Sequence, residues 1–164
     1  MTTPSAARPP RGIVTFIRIA LAVLFLDELV VGGWNAIWPA GFYRHFPTVN
    51  LTPPFSEHFA RDFGGATLGI AVLLGIALCA PRGRFTLPAA IAFSVFAVPH
   101  FFLHLLHRDG ASTGQYLALT TANAVVALLG VGIITASAIL GPSDATKGSP
   151  DGAHRVRLPF TQRP

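Results

Sequence analysis

The residues able to do chemistry are few, and most of them interrupt apolar runs. In His100-Phe101-Phe102-Leu103-His104-Leu105-Leu106-His107 the imidazoles recur at i, i+4 and i+7, which makes one stripe on a helix. Asp27 and Glu28 interrupt a run that is otherwise apolar from Ile19 to Val31, and Asn123 does the same in Ala122-Asn123-Ala124. Ser56-Glu57-His58-Phe59-Ala60-Arg61-Asp62 follows Pro53-Pro54; Ser56 suits a helix N-cap and Glu57 the positive helix end. Glu57, Arg61 and Asp62 can pair with one another or with a histidine. A histidine pair one helical turn apart, joined by carboxylates, can bind a zinc- or copper-like ion, relay protons or orient a polar headgroup.

The elements that must position these groups are membrane helices. Of 164 residues, 51% are hydrophobic and only 12% charged, about half the charged share of a soluble domain. A disordered chain and an ordinary water-soluble enzyme are thereby disfavoured, and the single cysteine, Cys79, excludes an internal disulfide. A hydrocarbon core of about 30 Å needs about 20 apolar residues as a helix. Four stretches qualify, at about 13–38, 59–80, 85–106 and 116–140. The expected fold is all-α, an integral-membrane up-and-down four-helix bundle over 13–141. A cytoplasmic tail at 1–12, an outer loop at 39–58 and a disordered cytoplasmic tail at 142–164 flank the spans. Nine of the 12 Lys and Arg residues fall on one side, leaving Arg44, Arg61 and Arg108 on the other, so both termini are expected in the cytoplasm. The same bias accounts for most of the net charge of +5, and no nucleic-acid partner is needed to explain it.

Helical rise then sets depth. At about 1.5 Å per residue, Asp27 lies about 24 Å from Arg11, His100 about 24 Å from Arg84, Asn123 about 25 Å from Leu140 and Asp62 about 30 Å from Arg82. Each span thus places a polar group in the outer part of the membrane, where an unpaired charge costs about 2.5–3.5 kcal/mol at a helix centre. Three readings stay open. In the leading one, Asp27, Glu28, Glu57, His58, Asp62, His100, His104 and Asn123 line an outer-leaflet pocket for a small apolar ligand or a metal ion. His100 and His104 are the metal candidates, and the protein serves as an accessory subunit of a membrane partner. In the second, a membrane isomerase or oxidoreductase acts on a lipid-like substrate with Asp27 or Glu28 as base and His100 as acid. In the third, the polar groups only satisfy one another, Asp27 or Glu28 meeting Arg61, Asn123 or a histidine. No Walker loop, GxSxG elbow or Cys-x-x-Cys is present, and no cofactor is identified.

Two packing signals accompany the spans. Gly65-Ala66-Thr67-Leu68-Gly69, extended by Gly75, is a small-xxx-small face expected to pack within the bundle. Pro99 lies deep in the third span and should kink it. Trp34, Trp38 and Tyr43 are expected near the outer interface, and the loop after them, with Phe42-Tyr43-Arg44-His45-Phe46-Pro47, as a segment lying in the headgroups.

Arg18-Ile19-Ala20-Leu21-Ala22-Val23-Leu24-Phe25-Leu26 and Asp62-Phe63-Gly64-Gly65-Ala66-Thr67-Leu68-Gly69-Ile70 resemble the openings of the first and second helices of the small, four-helix DoxX-like membrane proteins of bacteria. Phe42, Tyr43, Phe46, Pro47, Val98, Pro99, His100 and His104 are similar to positions in uncharacterised actinobacterial four-span membrane proteins. The DoxX-like resemblance implies a bacterial inner-membrane protein with an accessory role beside a redox or stress-response enzyme. It brings no catalytic residues with it.

Overall fold

A computed structural model describes residues 10–51, 54–80, 84–108 and 110–140. The tail expected at 142–164, most of that at 1–12, and Pro81, Arg82, Gly83 and Asp109 of the two short links lie outside the described residues. The described residues form five α-helices and one short 3-10 turn at Val49–Leu51, with no strand among them: α1 (Arg11–Ile37), α2 (Pro39–His45), α3 (Glu57–Cys79), α4 (Thr86–Leu106) and α5 (Thr113–Leu140). α3, α4 and α5 are each long and apolar enough to cross a membrane. α1 is longer than α3 or α4 but carries Arg11, Arg18, Asp27 and Glu28.

Local chemistry explains the boundaries. α1 stops where Trp38 leaves helical geometry, as the residue before Pro39 is pushed to do, and Pro39 occupies the first turn of α2, where its missing N–H costs nothing. The segment expected as a plain loop is therefore partly helical. Gly41 seats it: a Cβ there would run into the Trp38 ring. Phe42 stacks on Phe46 and meets Trp34 edge-on, which folds α2 over the end of α1. The Ser56 hydroxyl accepts the Phe59 N–H, the N-cap its type suggests. At α5, Ser112 and Gln115 form a reciprocal capping box: the Ser112 N–H donates to Gln115 Oε1 at 3.0 Å and the Gln115 N–H to Ser112 Oγ at 3.3 Å.

The four long helices close a ring. α1 packs against α3 and α5, and α4 packs against α3 and α5, whereas no Cα pair of α1 and α4, or of α3 and α5, lies within 8 Å. α1 and α3 run antiparallel, since Gly32 adjoins Gly64 at one end while Phe25 covers Gly75 nearer the other. We call the end holding the start of α1 and the end of α5 the tail end, and the opposite one the loop end. The tail-end half of the ring is filled by Ile17, Leu21, Leu24, Leu74, Ala77, Ala90, Phe93 and Ile133, with Phe93 the largest fully buried side chain.

The tightest contact lies between α1 and α3. A Cβ on Gly64 would come to 2.5 Å from the Ala36 amide nitrogen and 2.8 Å from the Gly32 carbonyl oxygen, so the two backbones touch there. Gly65 and Gly69, the expected packing face, are exposed, and a Cβ added at either would meet open space. The buried stripe of α3 is Gly64, Thr67, Ala71, Leu74 and Ala77, one residue or about 100° away from the predicted one. The outside of the ring is as apolar as its inside: on α1 alone Ile19, Val23, Leu26, Val30 and Ile37 are exposed.

Candidate functional site

α1 buries Ile17, Ala20, Leu21, Leu24, Glu28, Gly32 and Asn35, a spacing of threes and fours that keeps one stripe facing its neighbours. Glu28 occupies a position on that stripe that its apolar neighbours would fit without penalty. Its residue is 2% exposed, and its Oε2 has no hydrogen-bond partner. Asp27, one residue round the helix, is half-buried. Among the described residues neither acid forms an ion pair.

The groups named as their partners are engaged elsewhere. The Arg61 guanidinium holds Glu57 through Nε at 3.0 Å and Nη2 at 2.8 Å, and donates from Nη1 to the Ala36 carbonyl at 2.6 Å. It thus closes a free carbonyl at the end of α1 and ties α1 to α3. Asn123 turns its amide back to the Leu119 carbonyl at 3.0 Å, a bond within its own helix. His58 and Asp62 pair at 3.3 Å on the exposed first turns of α3. Glu57 with Arg61, and His58 with Asp62, therefore form two i, i+4 pairs at the loop end rather than a cluster with Asp27 and Glu28.

The histidines build a separate ladder. On α4 the buried positions Thr86, Ala90, Phe93 and Ala97 continue in register to His100 and His104, both half-buried. Phe63 of α3 lies 5.7 Å from Phe96, Phe96 stacks on His100 at 5.1 Å, and His100 meets His104 edge-on at 4.5 Å between ring centres. His107 falls just past the helix, exposed, with Nδ1 2.9 Å from the Leu103 carbonyl. Two imidazoles can give a metal ion two ligands. Among the described residues no three His, Cys, Asp or Glu side chains gather as a metal site requires.

The same end of the ring holds other polar atoms that the composition alone does not advertise. Trp34 Nε1 and Thr120 Oγ1 are buried without partners. The signal for Thr120 in the sequence is register: Asn123 and Thr120 lie one and two turns up the stripe that buries Ala127 and Gly130. Cover is also thin here. No described residue from 98 to 126 is buried, so the end of α4 and the start of α5 form the open side of the ring. At its outer edge Arg108 lies over the Tyr116 ring at 5.2 Å and donates to Thr113 Oγ1, while the Tyr116 hydroxyl donates to the Leu105 carbonyl at 2.8 Å. A cavity of about 20 Å³, room for one water, sits between Arg108, Tyr116, His104, His107 and Thr48. At the tail end an open groove of about 420 Å³ is lined by Ile13, Phe16, Gly132 and Ile139 and offers no free polar group, since Thr135 bonds the Val131 carbonyl.

No family model matches the chain, and neither the curated proteins nor the solved structures give a match.

Proposed function

We propose that this is a multi-pass membrane protein in which α1, α3, α4 and α5 cross the bilayer as an up-and-down four-helix bundle, DoxX-like in kind. Both termini lie in the cytoplasm, and a small apolar ligand binds in the outer-leaflet half, oriented by polar groups led by Glu28. The apolar outer face supports the crossing: a helix that exposes Ile19, Val23, Leu26 and Val30 while burying Glu28 is arranged for lipid outside and polarity inside. This includes α1 in the bundle despite its charges. Orientation rests on the positive-inside bias.

The observation that supports the ligand reading is the Glu28 carboxyl, buried with an unpartnered oxygen on the inward stripe of α1. A purely structural role calls for polar groups that satisfy one another, and here Arg61 and Asn123 are committed elsewhere. A base–acid pair of Glu28 and His100 would have to act across the diagonal of the ring, between helices with no Cα atoms within 8 Å. Binding is the reading that leaves the fewest groups unexplained.

Native mass spectrometry of the full chain from membranes tests it. A small molecule retained by the wild type and lost in Glu28→Gln is the expected result, with a partial loss in His100→Ala. Identical bound species in all three would remove the pocket. A reporter fused at Gly110 should read the non-cytoplasmic side, and a cytoplasmic signal would overturn the orientation.

A further inference from the structure

We infer that the tail-end groove between α1 and α5 holds one acyl chain of an anionic phospholipid, whose headgroup meets the basic tail end at Arg11. The inference rests on the membrane-spanning part of the reading above and not on the Glu28 ligand. The groove measures about 420 Å³, within the range of about 300–1,000 Å³ usual for small-molecule sites. Gly12, Ile13 and Phe16 of α1 form one wall, and Gly132, Ala136 and Ile139 of α5 the other. The one hydroxyl on the lining, that of Thr135, is bonded to the Val131 carbonyl, so an apolar chain leaves no polar group there unsatisfied.

The shape suits a chain rather than another helix. The Phe16 ring lies over Gly132, where a Cβ would stand 2.9 Å from it, so α5 offers a partner helix no bare glycine for close backbone approach. Toward the loop end, exposed Ile19 and Val23 continue the α1 wall and exposed Leu128 the α5 wall. From Ile139 to Leu128 the rise is about 16 Å, half of a hydrocarbon core of about 30 Å, so the apolar track has the depth of one leaflet. Charge then selects the headgroup. By their place in the chain, nine of the 12 Lys and Arg residues fall at the tail end, against Asp144 and Asp151 of the seven acids. Arg11 stands at the mouth of the groove, exposed and next to Gly12 on its wall. α1 starts there at Pro10, with no side-chain cap and no acid in its first turn, so the positive end of the helix adds to that charge. A basic site between membrane helices on the cytoplasmic side is suited to an anionic headgroup.

Native mass spectrometry tests the inference on the full chain released from nanodiscs of equal dioleoylphosphatidylglycerol and dioleoylphosphatidylcholine. One retained phosphatidylglycerol is expected, at least tenfold in excess of phosphatidylcholine. Gly12→Leu fills open space in the groove and should lower retention of either lipid about tenfold. Arg11→Gln leaves the groove intact and should lower the preference for phosphatidylglycerol about fivefold, the effect of one basic residue at an anionic surface. Thr135→Phe blocks the groove from α5 and decides the matter if Gly12→Leu does not fold. Equal retention of the two lipids overturns the headgroup, and retention indifferent to both groove variants overturns the site. A second copy of the chain retained in place of lipid, and lost in Gly12→Leu, overturns the lipid as occupant. A wild-type chain that stays out of nanodiscs would instead remove the membrane reading on which the inference rests.

Discussion

The two ends of the ring solve the same packing problem in opposite ways. At the tail end, Ile17, Leu21, Leu24, Leu74, Phe93 and Ile133 are essentially inaccessible, and the polar side chains buried among them are the hydroxyls of Thr86 and Ser94, with no charged group. At the loop end the same stripes continue, but with Glu28 and Asn35 on α1, His100 and His104 on α4, and Thr120 and Asn123 on α5. Lipid surrounds both ends in the proposed setting, so no hydrophobic force distinguishes them, and dispersion from close packing must hold the helices together. The tail end supplies that dispersion. The loop end gives up part of it, and what holds it is concentrated where α1 and α3 touch at Gly32 and Gly64.

Truncation should therefore cost most at the tail end. Phe93→Ala removes the largest buried ring and leaves a cavity that the facing Gly130, whose Cβ would stand 2.9 Å from that ring, is too small to fill. The expected loss is about 3–5 kcal/mol, measured by reversible unfolding in mixed micelles. A loss under about 1 kcal/mol would show that the tail end is no better packed than the loop end. Gly64→Val is next. Its obstacle is backbone on the facing helix, which cannot rotate away, so the cost should reach the top of the range of about 1–3 kcal/mol for overpacking. Gly65→Val, one residue on and facing open space, should cost little and serves as the control.

At the loop end the sign should reverse. Glu28→Met keeps the volume of the side chain and removes an unsatisfied oxygen, so the bundle should gain about 1–3 kcal/mol while losing its ligand. Greater stability together with lost binding is the signature of a site held at the fold's expense. Destabilisation by Glu28→Met would instead mean that the carboxyl supports the fold.

Much of the architecture could be read beforehand, and the reason is length. The helices α1, α3, α4 and α5 coincide with the four apolar runs to within three residues, because a run of more than 20 apolar residues has few folded alternatives, and Ser56 marked its helix start. Register was harder. Two adjacent glycines, Gly64 and Gly65, differ by about 100° in direction, and only the crossing of α1 and α3 decides which one touches. The same uncertainty covered Asp27 and Glu28: the sequence offers both, and the stripe Leu21, Leu24, Glu28, Gly32 and Asn35 selects the second. Arg61 stands in the sequence as a partner for an acid, but its shortest bond is to a backbone carbonyl, which no residue type announces. The polar groups of separate helices were expected to converge; most of them pair within one helix, as i, i+4 neighbours can without any tertiary contact.

Arg61 gives the finest test of the difference between the ends. Its guanidinium bridges α3 to the last turn of α1, where the Ala36 carbonyl has no helical donor to meet, and the side chain is 49% exposed. Solvent competes for each of its bonds, so Arg61→Ala should cost only about 0.5–1 kcal/mol, and less in high salt. Lysine could keep the charge but not the fork that reaches Glu57 and Ala36 together, so Arg61→Lys should fall between the wild type and alanine. The two losses should be read against Gly64→Val. If Arg61→Ala costs as much as breaking the glycine contact, the loop end is held by its polar clamp. If it costs the small amount expected here, backbone packing of α1 on α3 holds that end, and the unpaired Glu28 sits on a rigid wall facing a yielding one.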